Sequence, residues 1–369
     1  MKIVIDCRFW GPKHTGLGRY TQSLVKAIYK LKPSHQFYLI INPKNKRIIQ
    51  KTVPKFNLIV CSAKPYSIKE QFQLPKILSQ LKPDLVHFPH FNVPLFFKGK
   101  FIVTIHDLIK HHSTGSATTT KPLFEYPFKR FGYRLIMKHA VNNSHLILVP
   151  SQWVKKDILQ FYNISSKKII VTPEAAAEIY NKPQNFKTSV SQLKTPYLIF
   201  VGNTYPHKNI LQLIKAVQIV NQQKKLKLII VTARNIFYQR LRQQIRKLKA
   251  QSVIKLKSFA SDQELKSLYY HSLSFITPSL LEGFGLPGIE AMASGTIVLS
   301  SNTSALPEVY AKSALYFNPN SLNDMVKKIN KVIDFSSSDR QKLISKGQKH
   351  AQKYSWQNTA EKTLKAYQQ

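Results

Sequence analysis

Short runs of apolar residues alternate with segments of helical periodicity along almost the whole chain. These runs predict seven strands in the first half, at 2–8, 37–42, 57–62, 84–88, 101–106, 145–150 and 168–172. Six more are predicted at 197–202, 227–232, 253–257, 273–277, 296–300 and 314–317. Several runs lack the polar alternation of a half-exposed strand, as is typical of parallel strands covered by helices on both faces. Between the strands, apolar side chains recur at helical spacing, as at Tyr20, Leu24, Ala27, Ile28 and Leu31.

This alternation of strands and helices predicts an α/β fold with parallel sheets. The alternation restarts after a polar stretch at 174–195, so we predict two Rossmann-like domains of similar size that face each other across a ligand-binding cleft. The predicted bounds are 1–178 for the N-terminal domain, 179–195 for a linker, 196–354 for the C-terminal domain and 355–369 for a final helix. Ser355 is a suitable N-cap for that helix.

Composition narrows the class of protein. The chain has 369 residues, of which 43% are hydrophobic, and this composition excludes a mainly disordered chain. Its two cysteines, Cys7 and Cys61, are too few for a disulfide scaffold or a four-thiolate zinc site. No apolar run approaches the roughly 20 residues of a membrane span, and the apolar stretch after Met1 is too short for a signal peptide. We therefore expect a cytoplasmic protein.

The formal net charge of +39 is unusually high and is spread over the chain. Residues 1–180 contain 28 basic and 8 acidic residues, and the stretch between Glu178 and Asp262 contains 16 Lys and Arg and no acidic residue. Such a field attracts phosphate-bearing ligands, anionic lipid surfaces or nucleic acid. A lysine-rich composition with a solvated surface is the alternative explanation.

The segment 278–295 contains the strongest candidate chemistry. A strand leads into a turn with two glycines, and Pro287 favours the start of a helix directly after it. Glu282 lies in the turn, and Glu290 lies about one turn into the helix. The N–H groups and the dipole at a helix N-terminus favour an electronegative ligand and keep nearby carboxylates ionised. Such carboxylates accept hydrogen bonds from the hydroxyls of a sugar or ribose, although Glu290 could also cap its own helix.

This segment resembles the E-x7-E motif of the retaining glycosyltransferases of family 4, which have the GT-B fold of two facing Rossmann domains. The resemblance extends over nearly the whole chain. Similar to segments of that family are 149–151, 200–209, 262–269 and 301–309. Ser355-Trp356 and the helix after it look like the C-terminal element that packs back on the N-terminal domain in the family.

The resemblance implies a role for each residue of the motif. Glu282 would contact the hydroxyls of the transferred sugar, and Glu290 would hold the ribose of the nucleotide. Lys208 would neutralise the diphosphate, because an ammonium group stabilises the charge that develops on a leaving phosphate. The implied donor-binding residues are Gly16, Gly18, Gly202, Asn203, Lys208, Asn209, Glu282, Gly283, Phe284, Gly285, Leu286 and Glu290. Asn203 and His207 stand where Arg is common in the family, so Arg19 or another basic residue would compensate.

Two features of the N-terminal half add candidates. Gly16 and Gly18 lie between the first strand and a helix, where backbone amides can meet phosphate, and they resemble the G-x-G-R-Y loop of a subgroup that includes mannosyltransferases. Arg19 opens that helix and would face the donor or the acceptor. His106 and Asp107 end a strand at the edge where α/β folds place ligand contacts. By resemblance, His106 would face the transferred sugar as a catalytic residue and Asp107 would lie on the acceptor side; a purely structural histidine is the alternative.

We therefore predict a retaining glycosyltransferase that moves a hexose, with mannose from GDP-mannose as the first choice. The acceptor would be a glycan or a lipid-linked molecule in the synthesis of a surface polysaccharide or glycolipid. The alternatives are another GT-B enzyme, such as a nucleotide-sugar epimerase or a sugar phosphorylase, and a basic nucleic-acid-binding protein. We expect no nucleic acid as partner, because Glu282 and Glu290 would repel a phosphate backbone. No D-x-D or H-x-x-x-H pattern is present, so we expect no metal and no cofactor besides the nucleotide-sugar substrate.

The segment 110–138 predicts a peripheral contact with an anionic membrane. It combines six basic residues and the single acid Glu125 with many aromatic and aliphatic side chains, a composition suited to the membrane interface. The basic residues are Lys110, Lys121, Lys129, Arg130, Arg134 and Lys138; the apolar and aromatic residues are Leu123, Phe124, Tyr126, Phe128, Phe131, Tyr133 and Leu135. Alternatively, Phe124, Phe128 and Phe131 are core residues of a helix whose charged face is solvated.

Overall fold

The computed structural model describes residues 1–11, 14–112, 126–182 and 195–369. These residues form two compact units. The first unit contains 1–108, 126–174 and 356–369, and the second contains 109–112 and 175–355. Each unit is built around one parallel sheet with helices on both of its faces.

The first unit has a seven-stranded parallel sheet in the order β3-β2-β1-β4-β5-β6-β7. Its strands are β1 (Lys2–Asp6), β2 (Gln36–Ile41), β3 (Asn57–Val60), β4 (Leu85–Phe88), β5 (Phe101–Thr104), β6 (Leu146–Val149) and β7 (Ile169–Val171). The helices of the first half of the chain are α1 (Thr15–Lys30), α2 (Lys46–Thr52), α3 (Ile68–Leu81), α4 (Ile109–His112), α5 (Tyr126–Asn143) and α6 (Gln152–Phe161).

Alternate residues of β1 enter two different cores. Val4 packs in one core with residues of α3, α5 and α6, whereas Ile3 and Ile5 pack in a second core on the other face of the sheet. Both faces of the strand are therefore apolar, which is why its sequence shows a continuous apolar run. On the β4 side the register pairs Ile3 with Leu85.

The second unit has a six-stranded parallel sheet in the order β10-β9-β8-β11-β12-β13. Its strands are β8 (Tyr197–Val201), β9 (Lys227–Val231), β10 (Ile254–Lys257), β11 (Ser274–Thr277), β12 (Val298–Ser301) and β13 (Leu315–Phe317). The remaining helices are α7 (Glu178–Asn181), α8 (Ile210–Asn221), α9 (Ile236–Lys247), α10 (Asp262–Tyr270), α11 (Leu286–Ala293), α12 (Leu306–Tyr310), α13 (Leu322–Ile333), α14 (Ser337–Ala351) and α15 (Trp356–Tyr367).

Both sheets confirm the predicted α/β class with two Rossmann-like domains. Each of the thirteen predicted strands has a counterpart among the described residues. In both sheets the strand order reverses beside the first strand, between β1 and β4 in one unit and between β8 and β11 in the other. Loops that follow such strands diverge at the carboxyl edge of the sheet and leave a crevice where ligands bind in this class of fold.

The boundary between the units lies near residue 174, four residues before the predicted end of the N-terminal domain. Helix α7 falls mostly within the predicted linker, but it packs against α10 and α11 of the second unit. Tyr180 is fully buried there, with its ring centroid 6.1 Å from that of Tyr269. The buried side chain of Tyr180 therefore joins the first residues of the predicted linker to the second unit. Residues 183–194 of the predicted linker lie outside the described residues.

Helix α15 returns to the first unit and packs along α1. The ring centroids of Trp356 and Tyr20 are 5.7 Å apart. Tyr367 places its hydroxyl 2.6 Å from Nδ1 of the fully buried His87. Burial lowers the pKa of His87 to about 3, so this histidine is neutral. Its hydrogen bond to Tyr367 helps to hold the C-terminal helix in place.

A buried ion network joins the end of β1 to α3. The guanidinium of Arg8 donates hydrogen bonds to Asp6 at 2.6 and 2.8 Å and to Glu70 at 2.5 Å. Asn92 Nδ2 donates to both carboxylate oxygens of Glu70, at 2.8 and 2.9 Å. The side chains of Arg8 and Glu70 are inaccessible to solvent, so neither charge can be compensated by water.

Replacing Arg8 with Met should therefore lower the free energy of unfolding of the first unit by about 3–5 kcal/mol, because two buried carboxylates lose their cation. All three tryptophans, Trp10, Trp153 and Trp356, lie in this unit, so tryptophan fluorescence during urea denaturation reports its unfolding selectively. The matched control is Lys51→Met, which removes an exposed cation from α2 of the same unit and should have little effect. An equally small effect for Arg8→Met would contradict a structural role of the network.

Candidate active site

The loop after β8 places Lys208 at the carboxyl edge of the second sheet. Gly202 ends the strand with φ at +148°, a backbone conformation that L side chains rarely adopt, and its N–H donates to Val231 O at 3.0 Å. A short 3-10 helix, Pro206–Lys208, follows. Asn209 then adopts a left-handed conformation with φ at +56°, and its Nδ2 donates to Pro319 O at 2.9 Å. The side chain of Asn209 therefore anchors the loop that presents Lys208.

Glu282 lies in the loop after β11, the neighbouring strand across the switch point, and forms an ion pair with Lys208. Lys208 Nζ donates to Glu282 Oε1 at 2.5 Å, and Ser279 Oγ donates to the same oxygen at 2.7 Å. The two charged side chains are 17% and 14% exposed, so solvent can still reach the pair. The backbone N–H of Glu282 donates to Ser304 Oγ at 2.9 Å, which fixes the loop from its other side.

The surroundings of this pair keep Glu282 ionised. Burial alone would raise the pKa of Glu282, but the charge of Lys208 and the hydrogen bonds from Lys208 and Ser279 outweigh it, and the pKa lies below its ordinary value. The neighbouring His207 has its pKa lowered to about 4 by burial and by the charge of Lys208. At neutral pH the site therefore presents one ammonium, one carboxylate and a neutral imidazole.

The glycines of the motif allow Tyr310 to pack against the N-terminus of α11. Gly285, the N-cap, has φ at +92°, and a Cβ on it would lie 2.4 Å from Tyr310 Oη and 2.5 Å from Leu306 Cδ2. A Cβ on Gly288 would lie 2.3 Å from the same tyrosine. Tyr310 Oη donates to Gly285 O at 2.6 Å. Residues of α12 therefore hold the turn between Glu282 and α11 in place.

The other predicted residues of the motif differ in what they can offer a ligand. Phe284 is 5% exposed and packs edge-on against Tyr354, at 5.5 Å between ring centroids, so a ligand could reach little besides its main chain. Gly283 is buried, and Leu286 is the half-buried first residue of α11. Glu290 is 5% exposed, and its Oε2 accepts a hydrogen bond from Tyr269 Oη at 3.5 Å.

In the first unit, His106 is held at the carboxyl end of β5 by acceptors on both ring nitrogens. Its Nδ1 lies 2.9 Å from Glu174 Oε1, and its Nε2 lies 3.0 Å from Pro89 O. The ring of Tyr20 packs against it at 4.5 Å between centroids. Burial alone would lower the pKa of His106, but the hydrogen bond and charge of Glu174 outweigh it and raise the pKa. This arrangement favours the imidazolium form.

The remaining predicted residues of the first unit lie on α1 or beside His106. A Cβ on Gly18 would lie 1.9 Å from Gly11 O, so the close approach of the loop after β1 requires glycine there. Gly16 is exposed, and a Cβ on it would meet nothing within 4 Å. Arg19 is half-buried and lies one turn into α1, which begins at Thr15 and not at Arg19 as predicted. Asp107 is half-buried next to His106.

The structure thus brings the predicted residues together in two groups, one in each unit. Lys208 and Glu282 meet in the second unit, with Gly202, Asn203 and Asn209 on the loop that carries Lys208. His106 and Asp107 end β5 in the first unit. The residues that hold these groups were not among those predicted: Glu174, Ser279, Ser304 and Tyr310. A signal for Glu174 was available, because it is one of few acidic residues in a basic half and lies two residues after a predicted strand.

The described part of the chain contains no group of three or more His, Cys, Asp or Glu side chains that could hold a metal ion. The expectation that catalysis uses no metal and no cofactor remains a prediction. Within the same described ranges, no helix is long and apolar enough to cross a membrane.

The contact of His106 with Glu174 makes the stability of the first unit depend on pH. Because folding raises the pKa of His106, its contact with Glu174 stabilises the first unit fully below the unfolded value of about 6.5. This contribution is lost as the pH rises through the higher pKa of the folded state. Glu174→Gln removes the negative charge beside the ring, so the pKa of His106 should fall in an NMR titration of the ring.

The control for this titration is Glu361→Gln, which changes an exposed carboxylate on α15 of the same unit and should leave His106 unchanged. A pKa of His106 that does not respond to Glu174→Gln would show that this ion pair is absent in solution.

Comparison with protein families places two matches end to end on the chain. Residues 14–175 match the family model described as Glycosyltransferase Family 4, and residues 181–350 match the model described as Glycosyl transferases group 1. Together the two matches extend from the N-terminus of α1 to the end of α14, through both units. Lys208, Glu282 and Glu290 lie in the second match, and His106 lies in the first.

Individual proteins are similar to the chain over much or all of its length. O-antigen chain mannosyltransferase B of Escherichia coli is 26% identical over 375 residues, which cover 96% of each chain. O-antigen chain mannosyltransferase RfbU of Salmonella typhimurium is 32% identical over 238 residues, which cover 64% of this chain and 61% of RfbU. The crystal structure of Anabaena Alr3699/HepE, in complex with UDP and glucose, superposes with a TM-score of 0.75 at 16% identity, over 100% of this chain and 99% of that one.

The structural likeness confirms the predicted GT-B fold, and the two family matches cover nearly all of the sequence between them. Because the two matches together include both units, the chain belongs to the family 4 glycosyltransferases.

Proposed function

We propose that this protein is a retaining hexosyltransferase that moves mannose from GDP-mannose to a glycan or lipid-linked acceptor, in the synthesis of a surface polysaccharide or glycolipid. The Lys208–Glu282 ion pair at the switch point of the second sheet carries the proposal. The choice of mannose rests on relatives that are named O-antigen chain mannosyltransferases.

The pair offers complementary partners to the two halves of a nucleotide sugar. The negatively charged diphosphate can replace Glu282 as the partner of Lys208. The sugar hydroxyls can then donate hydrogen bonds to the carboxylate of Glu282. The exchange is feasible because both side chains are partly exposed. The N-terminus of α11 adds N–H donors and a favourable dipole beside Glu282. Glu290, one turn into that helix, would hold the ribose.

In this proposal Lys208 acts on the leaving group. Its ammonium stabilises the negative charge that develops on the diphosphate as the bond to the sugar breaks. Glu282 is ionised, since its pKa is lowered, and is therefore a hydrogen-bond acceptor and a poor general acid. The acceptor hydroxyl forms its bond to the sugar on the face from which the phosphate leaves, so the configuration is retained. The leaving phosphate helps to accept the proton of that hydroxyl. Lys208 and the dipole of α11 take the place of a metal ion.

Glu282→Ala should abolish transfer from GDP-mannose and leave the melting temperature close to that of the unmodified protein, because the side chain is on a loop. Glu290→Ala should act mainly on the donor KM, since a ribose contact is similar in the ground and transition states. Glu308→Ala, an exposed carboxylate on α12, is the matched control. Activity of Glu282→Ala within a few-fold of the control would refute the assignment. Release of an altered nucleotide sugar without any acceptor would instead indicate an epimerase.

Lys208→Ala should weaken GDP binding by about 1.5–3 kcal/mol in isothermal titration, the range for a charge-assisted hydrogen bond. Lys215→Ala removes an exposed lysine of the adjacent helix α8 and serves as the charge-matched control. Equal GDP affinity in both variants would mean that another basic residue, such as Arg19, holds the diphosphate.

The unmodified protein should keep its turnover when EDTA is added. Loss of turnover in EDTA would contradict the metal-free mechanism.

We further propose that the protein contacts anionic membranes through α5. Phe128, Phe131 and Leu135 are 80%, 71% and 45% exposed, and their spacing places them along one face of the helix. The alternative that Phe128 and Phe131 are core residues is therefore wrong. Lys129, Arg134 and Lys138 are exposed on the same helix, whereas the ring of Tyr133 packs against Phe91 at 5.1 Å.

The remaining members of the predicted membrane segment differ in status. Lys110 is exposed on α4, and Arg130 donates to Tyr126 Oη at 3.0 Å. Lys121, Leu123, Phe124 and Glu125 lie outside the described residues.

Vesicle co-sedimentation tests this contact. Each basic residue near an anionic leaflet contributes about 1 kcal/mol, so binding should require anionic lipid and decrease with salt. Lys129→Glu/Arg130→Glu/Arg134→Glu should weaken it strongly. The control, Lys44→Glu/Lys46→Glu/Lys51→Glu, makes the same charge change at and beside α2 and should bind nearly as well. Equal sedimentation with neutral and anionic vesicles, or equal losses in both variants, would refute a specific contact through α5.

A further inference from the structure

Four aromatic rings gather at the carboxyl edge of the first sheet, on loops that are far apart in the sequence. Phe9 follows β1, His14 precedes α1, Tyr66 precedes α3 and His90 follows β4. The ring centroid of Phe9 lies 5.4 Å from that of His14, 5.9 Å from Tyr66 and 5.5 Å from His90. We call these four residues the aromatic platform.

The platform has a buried base and an open face. Phe9 is 7% exposed and forms the base, whereas Tyr66 is 55% exposed. The Tyr66 hydroxyl lies 3.3 Å from His90 Nδ1, so the outer ring is oriented by a hydrogen bond as well as by packing. The ring of Tyr66 is held by T-shaped contacts with Phe9 and His90, and its large open surface is suited to packing against a ring of a ligand.

Tyr66 is held in an unfavourable backbone conformation. Its φ is +65°, in the left-handed region that bulky side chains rarely occupy. Its backbone N–H donates to Glu70 Oε2 at 2.7 Å, and Glu70 is the inaccessible carboxylate that Arg8 and Asn92 bind. The buried ion network therefore maintains a conformation that presents the ring of Tyr66 at the edge of the sheet.

The platform adjoins the candidate group around His106. The carbonyl of Pro89, which accepts the hydrogen bond of His106 Nε2 at 3.0 Å, belongs to the residue directly before His90. A ligand stacked on the platform would thus lie close to His106, which the family resemblance assigns to the transferred sugar.

We infer that the aromatic platform binds a pyranose ring of the acceptor glycan, with Tyr66 as the stacking residue that determines acceptor specificity. The C–H groups on one face of a pyranose carry slight positive charge and pack well on the negative face of an aromatic ring. Phenol and imidazole groups at the rim supply hydrogen bonds for the sugar hydroxyls. This inference rests on the proposed function, because it assigns the acceptor of that reaction.

The test uses α-linked mannotriose as the probe and the full chain as the protein. Saturation-transfer NMR should show mannotriose bound to the unmodified protein, and Tyr66→Ala should raise its Kd and the acceptor KM by about tenfold, as expected for the loss of one aromatic stacking contact. Tyr66→Phe keeps the ring and should stay within about threefold. Donor KM should remain unchanged in both variants.

Two further variants separate binding from folding. Tyr66→Gly suits a φ of +65°, so it should melt no lower than Tyr66→Ala while also losing mannotriose. Phe96→Ala removes an equally exposed ring, 58% accessible and paired with Phe72 at 5.2 Å outside the platform, and should bind mannotriose normally.

The outcomes distinguish this inference from the proposed function. Mannotriose binding that is retained in Tyr66→Ala and Tyr66→Gly, or lost equally in Phe96→Ala, would overturn the role of the platform even if mannose transfer is observed. Binding that depends on Tyr66 in a protein without transfer from GDP-mannose would support the platform and refute the proposed donor.

Discussion

Both units of this protein are organised by one constraint, the reversal of strand order beside the first strand of a parallel sheet. Crossover helices leave that strand and its neighbour in opposite directions, so a crevice opens at the carboxyl ends of the two strands. The loop with Lys208 follows β8 and the loop with Glu282 follows β11, on either side of the second reversal. Their ion pair forms where the topology itself leaves space for a ligand.

The two carboxyl edges carry different chemistry on the same topology. The second unit presents an ammonium and an ionised carboxylate beside a helix N-terminus, which suits a diphosphate joined to a polyhydroxylated ring. The first unit presents His106, whose pKa is raised by its contact with Glu174, and the aromatic platform, whose Tyr66 is held by the buried Glu70. In both, residues outside the motifs do the positioning, as Tyr310 does at Gly285 and Glu70 at Tyr66.

Much of the fold and part of the candidate site were predictable from the sequence. Buried parallel strands produce continuous apolar runs, and for this reason each of the thirteen predicted strands has a counterpart. Glu282 and Lys208 were identifiable because each lies in a local segment with a distinctive glycine pattern. Tyr66 carries no such signal, because its left-handed backbone and open ring depend on Glu70 and Arg8, and Arg8 is 58 residues away in sequence.

The sequence by itself determined the α/β class, the repetition of the strand–helix pattern and the charged residues at strand ends, since all of these are local patterns in the chain. Only the tertiary structure decided which of them meet. It paired Lys208 with Glu282 across 74 positions, because β8 and β11 are neighbours in the second sheet. It paired His106 with Glu174 across 68 positions, because the parallel strands β5 and β7 end at the same edge of the first sheet. It also exposed Phe128 and Phe131, since amphipathic periodicity does not specify which face of a helix finds a partner.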